Sequence, residues 1–304
     1  MIHFDYVEVN EKDFPMYMNI PFNYDLFYVT IGDRNILDRV IRYCRGKVIF
    51  GAHHGEYVYY SIENGIDWEK DMSSTKALKD KVWIMRLLKI LPAFDGVHIL
   101  NASLSYWSRY YSNVFLLPST VPNLLSSPSP AKSDVFTILF YGRHERSKGM
   151  DTVGYVASRL DEGIKLIIAG SGPESTAIKR YKSNNVKFLG HVDDASLNSM
   201  IAQSHLVLFP SYMETVGLVA LEAMRLGTPV LARDANFNQW MKSVPMCKLA
   251  STNSEFLDAI RLYREQWQSD RQSYIQQSWM LRDTPMSEEE YIQKLEQFLY
   301  GFLH

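Results

Sequence analysis

The segment FPSYMETVGLVALEAMRLGTPV, residues 209–230, decides the fold class of this chain. It continues an apolar strand pattern at 205–211, passes through a loop to Gly217, becomes helical over 218–226 and returns to a strand pattern at 228–234. Continuous apolar strands that alternate with helices are typical of a parallel sheet covered on both faces. The segment therefore predicts an α/β fold.

The same alternation extends from this segment in both directions. Upstream, strand patterns separated by helical ones lie at 135–142, 164–172 and 186–192. Weaker strand patterns lie at 24–32, 47–55 and 95–103, with helical patterns that end near Cys44 and cover 76–90. Residues 287–303 form a last helical pattern. We predict two Rossmann-like parallel-sheet domains and a final helix.

The segment LPSTVPNLLSSPSPAKSD, residues 117–134, marks the boundary between these domains. Its density of proline and serine is typical of a linker, and a long surface loop inside one domain is the alternative. The predicted ranges are 1–128 for the first domain, 129–284 for the second and 285–304 for the final helix.

Composition excludes several function classes. A net charge of -2 over 304 residues lacks the basic excess of a nucleic-acid binder. The two cysteines, Cys44 and Cys247, are far apart, and no Cys/His spacing suits a zinc site, so neither a disulfide framework nor a structural metal is expected. The N-terminus has no secretory pattern and no apolar run reaches membrane-spanning length, so we expect a cytoplasmic protein.

Residues with phosphate-binding chemistry follow the strand patterns of the second domain. Ligands of parallel α/β sheets bind where strands end. Arg143 and Lys148 follow such an end at Gly142, shortly before a helical pattern, and suit an anion, although the spacing is not that of a P-loop. A solvated basic turn is the alternative. GSGPES, residues 170–175, is a fragment of a dinucleotide-binding motif, but an NAD-dependent dehydrogenase would carry the complete motif early in the chain.

Glu214 and Glu222 flank the start of the helix at 218–226. If both were helical they would lie about 12 Å apart, which is too far for the two carboxylates of a glycoside hydrolase. We instead expect Glu214 to face a sugar from the loop and Glu222 to accept hydroxyl hydrogen bonds. The amides near Leu218 and Val219 are expected to hold a phosphate. Two surface glutamates are the alternative.

These motifs together resemble the signature of the retaining glycosyltransferases of family 4, which have the GT-B fold. The matching positions are Glu214 and Glu222 with Ala223-Met224 and Gly227-Thr228-Pro229-Val230, then Gly142-Arg143 with Lys148-Gly149, Gly170-Ser171-Gly172-Pro173, and Leu189-Gly190-His191-Val192. The resemblance is strong over about residues 135–234. It implies a first domain for the acceptor, shortened relative to the family, a second domain for the donor, a central cleft between them, and a final helix that crosses back to the first.

The resemblance implies transfer of a sugar from a UDP- or GDP-sugar to a hydroxyl of a glycan, lipid-linked or other acceptor, with no metal or cofactor. Arg143 and Lys148 would bind the diphosphate with help from the amides at 217–219, Glu222 the ribose, and residues 190–192 the base. His54, with His53 as the alternative, and Glu214 would face the sugar. The full predicted site comprises His54 and Glu214 as catalytic residues and Gly142, Arg143, Lys148, Gly170, Gly172, Gly190, His191, Val192, Thr215, Gly217, Leu218, Val219 and Glu222 as donor-binding residues.

Two alternatives stay open. A nucleotide-sugar-binding protein of the same fold with little or no turnover would carry the same donor motifs. Residues 76–94, KALKDKVWIMRLLKILPAF, mix five cations with apolar residues. Such a segment either contacts the inner face of a membrane or packs on its own sheet with solvated lysines.

Overall fold

The computed structural model describes residues 24–29, 45–52, 93–100, 112–122, 131–214 and 216–303. The chain divides into two compact units, one made of Met1–Pro118 with Glu289–His304 and the other of Ser119–Glu288. The change from the first unit to the second falls inside the proline- and serine-rich segment. The domain ranges derived from the sequence stay predictions.

The first unit contains a parallel sheet. Its described strands are β1 (Leu26–Val29), β2 (Lys47–Ala52), β3 (Gly96–Ile99) and β4 (Val114–Leu116), hydrogen-bonded in that order. Every residue of β3 is buried, as expected for a strand covered on both faces. The helical patterns that end near Cys44 and cover 76–90 lie outside the described residues.

The second unit is built on a six-stranded parallel sheet. Its strands are β5 (Phe136–Tyr141), β6 (Ile164–Ala169), β7 (Val186–Gly190), β8 (Leu206–Phe209), β9 (Val230–Arg233) and β10 (Lys248–Ala250). Their order across the sheet is β10-β9-β8-β5-β6-β7. Successive strands run outward from β5 in one direction and from β8 in the other. This is the doubly wound order, and its switch point lies between β5 and β8.

Helices cover both faces of this sheet. They are α1 (Met150–Ser158), α2 (Ser175–Lys179), α3 (Asp194–Gln203), α4 (Leu218–Arg225), α5 (Asn253–Ser269) and α6 (Arg271–Met280). Short 3-10 helices cover Arg146–Lys148, Asn236–Ser243 and Leu281–Asp283. One apolar cluster joins α1 and α5 to one face, through residues such as Val153 and Ile260. A second joins α3 and α4 to the other face, through residues such as Ile201 and Ala223.

The last helix, α7 (Glu288–Leu303), belongs to the first unit. The Phe298 ring stacks on Phe115 of β4 with the ring centroids 4.2 Å apart. A Cβ at Gly96 would lie 2.6 Å from the ring of Phe302, so β3 needs glycine where the helix crosses it. The chain therefore returns to its first sheet after completing the second. None of the helices in the described part of the chain has the length and apolar character needed to span a membrane.

Candidate functional site

Lys148 and Glu214 meet at the switch point of the second sheet. Lys148 ends the short 3-10 helix after β5, and Glu214 follows β8. The Lys148 Nζ atom donates a hydrogen bond to Glu214 Oε1 over 2.7 Å, and the two side chains are only 27% and 13% exposed. The carboxyl ends of parallel strands form the usual ligand crevice of such sheets, above all at the switch point. Two residues predicted for the site are thus in direct contact there.

Backbone contacts between the segments after β5 and β8 hold Lys148 and Glu214 close together. Gly149, with φ 75°, lies against the carbonyl of Pro210, and a Cβ at this position would collide with that oxygen. The Tyr212 amide donates to the Ser147 carbonyl over 2.8 Å. Glycine is required at position 149 because both its left-handed conformation and the close approach exclude a side chain. Lys148 is therefore held beside the residues that follow β8.

Three predicted glycines form a row across the carboxyl ends of β5, β6 and β7. Gly142, Gly170 and Gly190 have φ values of 140°, 111° and 72°. The Gly170 amide donates to the Gly190 carbonyl over 2.6 Å, and a Cβ on Gly170 would collide with the Gly142 carbonyl. A Cβ on Gly142 or Gly190 would meet no heavy atom within 4 Å. The row is therefore tightly packed at its centre and open to a ligand at both ends.

Arg143 lies in the same loop as Lys148 but has a different partner. Its guanidinium lies 3.1 Å from the Glu145 carboxylate, and its side chain is 74% exposed. A surface ion pair of this kind contributes little to stability and can be exchanged for a ligand anion. Both predicted phosphate-binding cations thus lie at the same edge of the sheet, each beside a carboxylate.

His144 connects the loop after β5, which contains Gly142, to the loop after β6, which contains Gly170 and Gly172. It was not among the predicted residues. Its Nδ1 atom is hydrogen-bonded to Ser175 Oγ over 2.9 Å, and that oxygen also accepts a bond from the Gly172 amide over 2.9 Å. A Cβ on Gly172 would come within 2.6 Å of the His144 carbonyl oxygen. The pKa of His144 is lowered, chiefly by burial. The uncharged His144 ring therefore joins the loops that follow β5 and β6.

The N-terminus of α4 lies next in the chain after Glu214. Gly217 is its N-cap residue, with φ 75°, and Leu218 is 46% exposed. The amides of the first helical turn have no carbonyl partner within the helix, so those of Leu218 and Val219 are available for an anion by helix geometry. Thr215 lies outside the described residues.

Glu222 lies one turn further along α4 and is half-buried. The Tyr141 hydroxyl lies 3.0 Å from Glu222 Oε2 and 2.9 Å from the Val219 carbonyl oxygen. Burial raises the pKa of Glu222, while the hydrogen bond from Tyr141 lowers it and the charge of Asp194 raises it further. The prediction did not include Tyr141, although a tyrosine in an apolar strand needs a partner for its hydroxyl.

The loop after β7 has two different sides. His191 is exposed, whereas Val192 is half-buried and packs against the apolar cluster under α3 and α4. The next residue, Asp193, accepts a hydrogen bond from the Ser196 amide over 2.9 Å and caps α3. The two adjacent acids Asp193 and Asp194 thus begin this helix. His54 and its alternative His53 lie outside the described residues.

Comparison with known proteins identifies this part of the chain. Residues 124–239 match the family described as Glycosyl transferases group 1. The matched range contains all the predicted donor-binding residues and Glu214. His54 lies outside it.

A curated relative is similar to part of this chain. An uncharacterized glycosyltransferase of Methanocaldococcus jannaschii is 36% identical over 107 residues, which are 33% of this chain and 27% of the relative. The chain spans about a third or less of the length of the first curated relatives that it matches. The similarity is thus confined to one part of each protein.

Solved structures match over both units. Sucrose-phosphate synthase from Thermosynechococcus elongatus has a TM-score of 0.73 at 19% identity, covering 95% of this chain and 76% of the other. HepE from Anabaena, solved with UDP and glucose, has a TM-score of 0.69 at 18% identity, covering 92% of this chain and 78% of the other. The predicted fold class, two parallel-sheet α/β domains of the GT-B type, is confirmed.

Proposed function

We propose that the chain is a retaining glycosyltransferase of the family 4 type, which moves a sugar from a UDP- or GDP-sugar to an acceptor hydroxyl without a metal ion. The observation that carries the proposal is the Lys148–Glu214 contact at the switch point. The cation that would bind the diphosphate thus lies beside the carboxylate that would bind the sugar. The glycine row and the N-terminus of α4 lie at the same edge of the sheet.

The difficult event in this reaction is departure of the nucleoside diphosphate. Negative charge grows on the β-phosphate as the bond from the sugar C1 to the phosphate oxygen breaks. Lys148, Arg143 and the first amides of α4 would stabilise that charge, since preorganised donors act where charge develops. Each hydrogen bond of this charge-assisted kind contributes about 1.5–3 kcal/mol.

The acceptor oxygen would bond to C1 on the face from which the diphosphate leaves. Its proton would pass to the departing phosphate oxygen, so the protein need not supply a separate base. Glu214 would accept hydrogen bonds from the sugar hydroxyls beside the Lys148 ammonium group. His54, or His53, would position the sugar.

The proposal also covers the donor nucleotide, the acceptor and the location. HepE, solved with UDP and glucose, favours UDP as the first donor nucleotide to test. A glycan or a lipid-linked acceptor suits the reaction, in the cytoplasm or at the inner face of a membrane.

Reversing the charge of Lys79 and Lys81 tests the proposed membrane contact of residues 76–94. Reduced binding to anionic vesicles is expected if residues 76–94 lie on the membrane, and unchanged binding would exclude it.

The experiment is a thermal-shift panel of UDP, GDP, ADP and NAD followed by a transfer assay with the matching nucleotide sugar. A ligand that binds only the folded state raises its stability. One nucleoside diphosphate should stabilise the wild type and should not stabilise the Lys148→Ala variant. Lys182→Ala is the matched control, because Lys182 is exposed in the turn before β7, at the opposite edge of the sheet.

The assay should show product with the donor's anomeric configuration and no loss of rate in EDTA. A shift with NAD alone, or equal shifts in both variants, would contradict the proposal. Nucleotide binding without hydrolysis or transfer would instead identify a nucleotide-sugar-binding protein.

A further inference from the structure

We propose that Tyr141 is a positioning residue for the donor: its hydroxyl holds the Glu222 carboxylate and the first turn of α4 where the ribose hydroxyls of a nucleotide are received. This inference rests on the proposed function. It adds to that function a residue of β5 that contacts no substrate and acts through Glu222.

The geometry fixes the two groups that Tyr141 holds. Its ring is 7% exposed and belongs to the apolar cluster between the sheet and α4. The hydroxyl at the end of that ring lies 2.9 Å from the Val219 carbonyl oxygen and 3.0 Å from Glu222 Oε2. Because the ring is packed on all sides, the hydroxyl is a fixed point rather than a mobile surface group.

Tyr141 also joins the two halves of the candidate site along the backbone. It directly precedes Gly142 and Arg143, which begin the loop toward Lys148. Val219 contributes one of the α4 amides assigned to the phosphate. A single hydroxyl therefore fixes the distance between the loop that follows β5, the N-terminus of α4 and the carboxylate assigned to the ribose.

A count of protons shows how this contact biases the charge of Glu222. The phenol has one proton and two neighbouring acceptors, and the hydrogen bond that it donates to Glu222 Oε2 stabilises the ionised carboxylate. With Glu222 ionised, Val219 and Glu222 share the phenolic proton. Two ribose hydroxyls would supply further donors to the ionised carboxylate. Nucleotide binding is therefore expected to favour ionised Glu222.

The charged surroundings of Glu222 give the direction of the pH dependence. Among the described residues, two titratable groups act on it from neighbouring elements, Tyr141 from β5 and Asp194 from the start of α3. Burial raises the pKa of Glu222, and the Tyr141 hydrogen bond opposes this rise. Ribose binding should be complete above this pKa and decline as the pH falls through it. Loss of the Tyr141 hydroxyl should move that decline to higher pH.

The test compares the affinity of UDP with that of 2′,3′-dideoxyuridine diphosphate as a function of pH, by calorimetry, with the guanine pair as a second set. Both ligands of a pair carry the same diphosphate, so its own titration cancels in the ratio. The ribose preference is the affinity for the ribonucleoside diphosphate divided by that for its dideoxy analogue. Tyr141→Phe should reduce this ratio by about 10-fold at neutral pH, the effect of one charge-assisted hydrogen bond. In this variant, the fall of the ribose preference at acidic pH should begin at a higher pH than in the wild type.

Two further variants separate positioning from simple damage. In Glu222→Gln the ribose preference should be small and independent of pH, and adding Tyr141→Phe should change it no further. Tyr274→Phe is the matched control: its buried hydroxyl donates to the His205 carbonyl over 2.8 Å, at the opposite edge of the sheet. This variant should keep the wild-type ratio and profile.

The outcomes are distinct. A wild-type ratio and profile in Tyr141→Phe would overturn the inference and leave the proposed function standing. Equal weakening of both nucleotides would assign Tyr141 a merely structural role and overturn it as well. A wild type that binds no ribonucleoside diphosphate would overturn the proposed function and the inference together.

Discussion

The Lys148 ammonium group donates to the Glu214 carboxylate over 2.7 Å, from the segment after β5 to the segment after β8. The two residues are 66 positions apart in sequence but follow adjacent central strands of the sheet. Lys148 therefore has a neutralising partner before any donor arrives. Donor phosphate must compete with Glu214 for the ammonium group or join it.

This competition gives the first prediction. Glu214→Gln should lower the rate of sugar transfer by about 10-fold or more, because a charged acceptor for the sugar is lost. UDP affinity should be unchanged or tighter, since Lys148 is released from its carboxylate. Steady-state kinetics and calorimetry check the two effects. Glu145→Gln, which removes the carboxylate beside exposed Arg143, is the control and should leave transfer near the wild-type rate. Equal loss in both variants would contradict a specific role for Glu214.

The second prediction concerns the glycine row. Gly190→Ala should cost about 1–2 kcal/mol, the usual cost of a left-handed conformation, because the added methyl group meets open space. Gly170→Ala should cost more, because its methyl group collides with the Gly142 carbonyl. Urea unfolding measures both free energies. Equal costs would mean that the strands separate easily at this edge of the sheet.

The sheet and much of the site follow from sequence patterns. Continuous apolar runs at β5 and β8 predicted buried parallel strands, and the polar residues after them were expected where the strands end, at the ligand-binding edge of the sheet. Lys148 and Glu214 do meet. The switch point between β5 and β8 places them together once the strand order is known.

The connecting residues were not predictable in the same way. In the sequence, nothing distinguishes Tyr141 from the other apolar residues of its strand, or His144 from the other polar residues of its loop. Their partners, Glu222 and Ser175, are 81 and 31 positions away. Such contacts depend on which helix turn lies over which strand end, and local patterns do not carry this information.

The third prediction concerns Arg225 at the end of α4. Its guanidinium donates to the carbonyl oxygens of Arg282, Pro285 and Met286 over 2.8–2.9 Å, and so holds the segment that leads to α7. Arg225→Ala should reduce the free energy of unfolding by about 1–3 kcal/mol, because partly buried carbonyls lose their donors. Arg225→Lys should recover only part of the loss, since an ammonium group lacks the planar fork. Exposed Arg180 is the control, and its alanine variant should unfold within about 0.5 kcal/mol of wild type.

The fourth prediction is a pH dependence that arises at His205, which precedes β8. Burial, with the charges of Lys132 and Arg271, lowers the pKa of His205 to about 3. The imidazole is fully buried, and its Nδ1 atom accepts a hydrogen bond from the Thr137 amide over 3.0 Å. The folded protein thus holds this ring neutral, while the unfolded chain protonates it near its ordinary pKa of about 6.5.

Between about pH 6.5 and 3 the unfolded state binds one more proton at His205 than the folded state, so stability falls as the pH falls through this range, by up to about 1.4 kcal/mol per pH unit. His205→Asn retains an acceptor for the Thr137 amide and removes the titration. Urea unfolding at pH 7 and pH 5 should therefore show a smaller acid loss in the variant than in the wild type. The wild-type His144 titration is common to both proteins and cancels in the difference. Equal losses in the two proteins would mean that the buried ring at position 205 titrates normally in the fold.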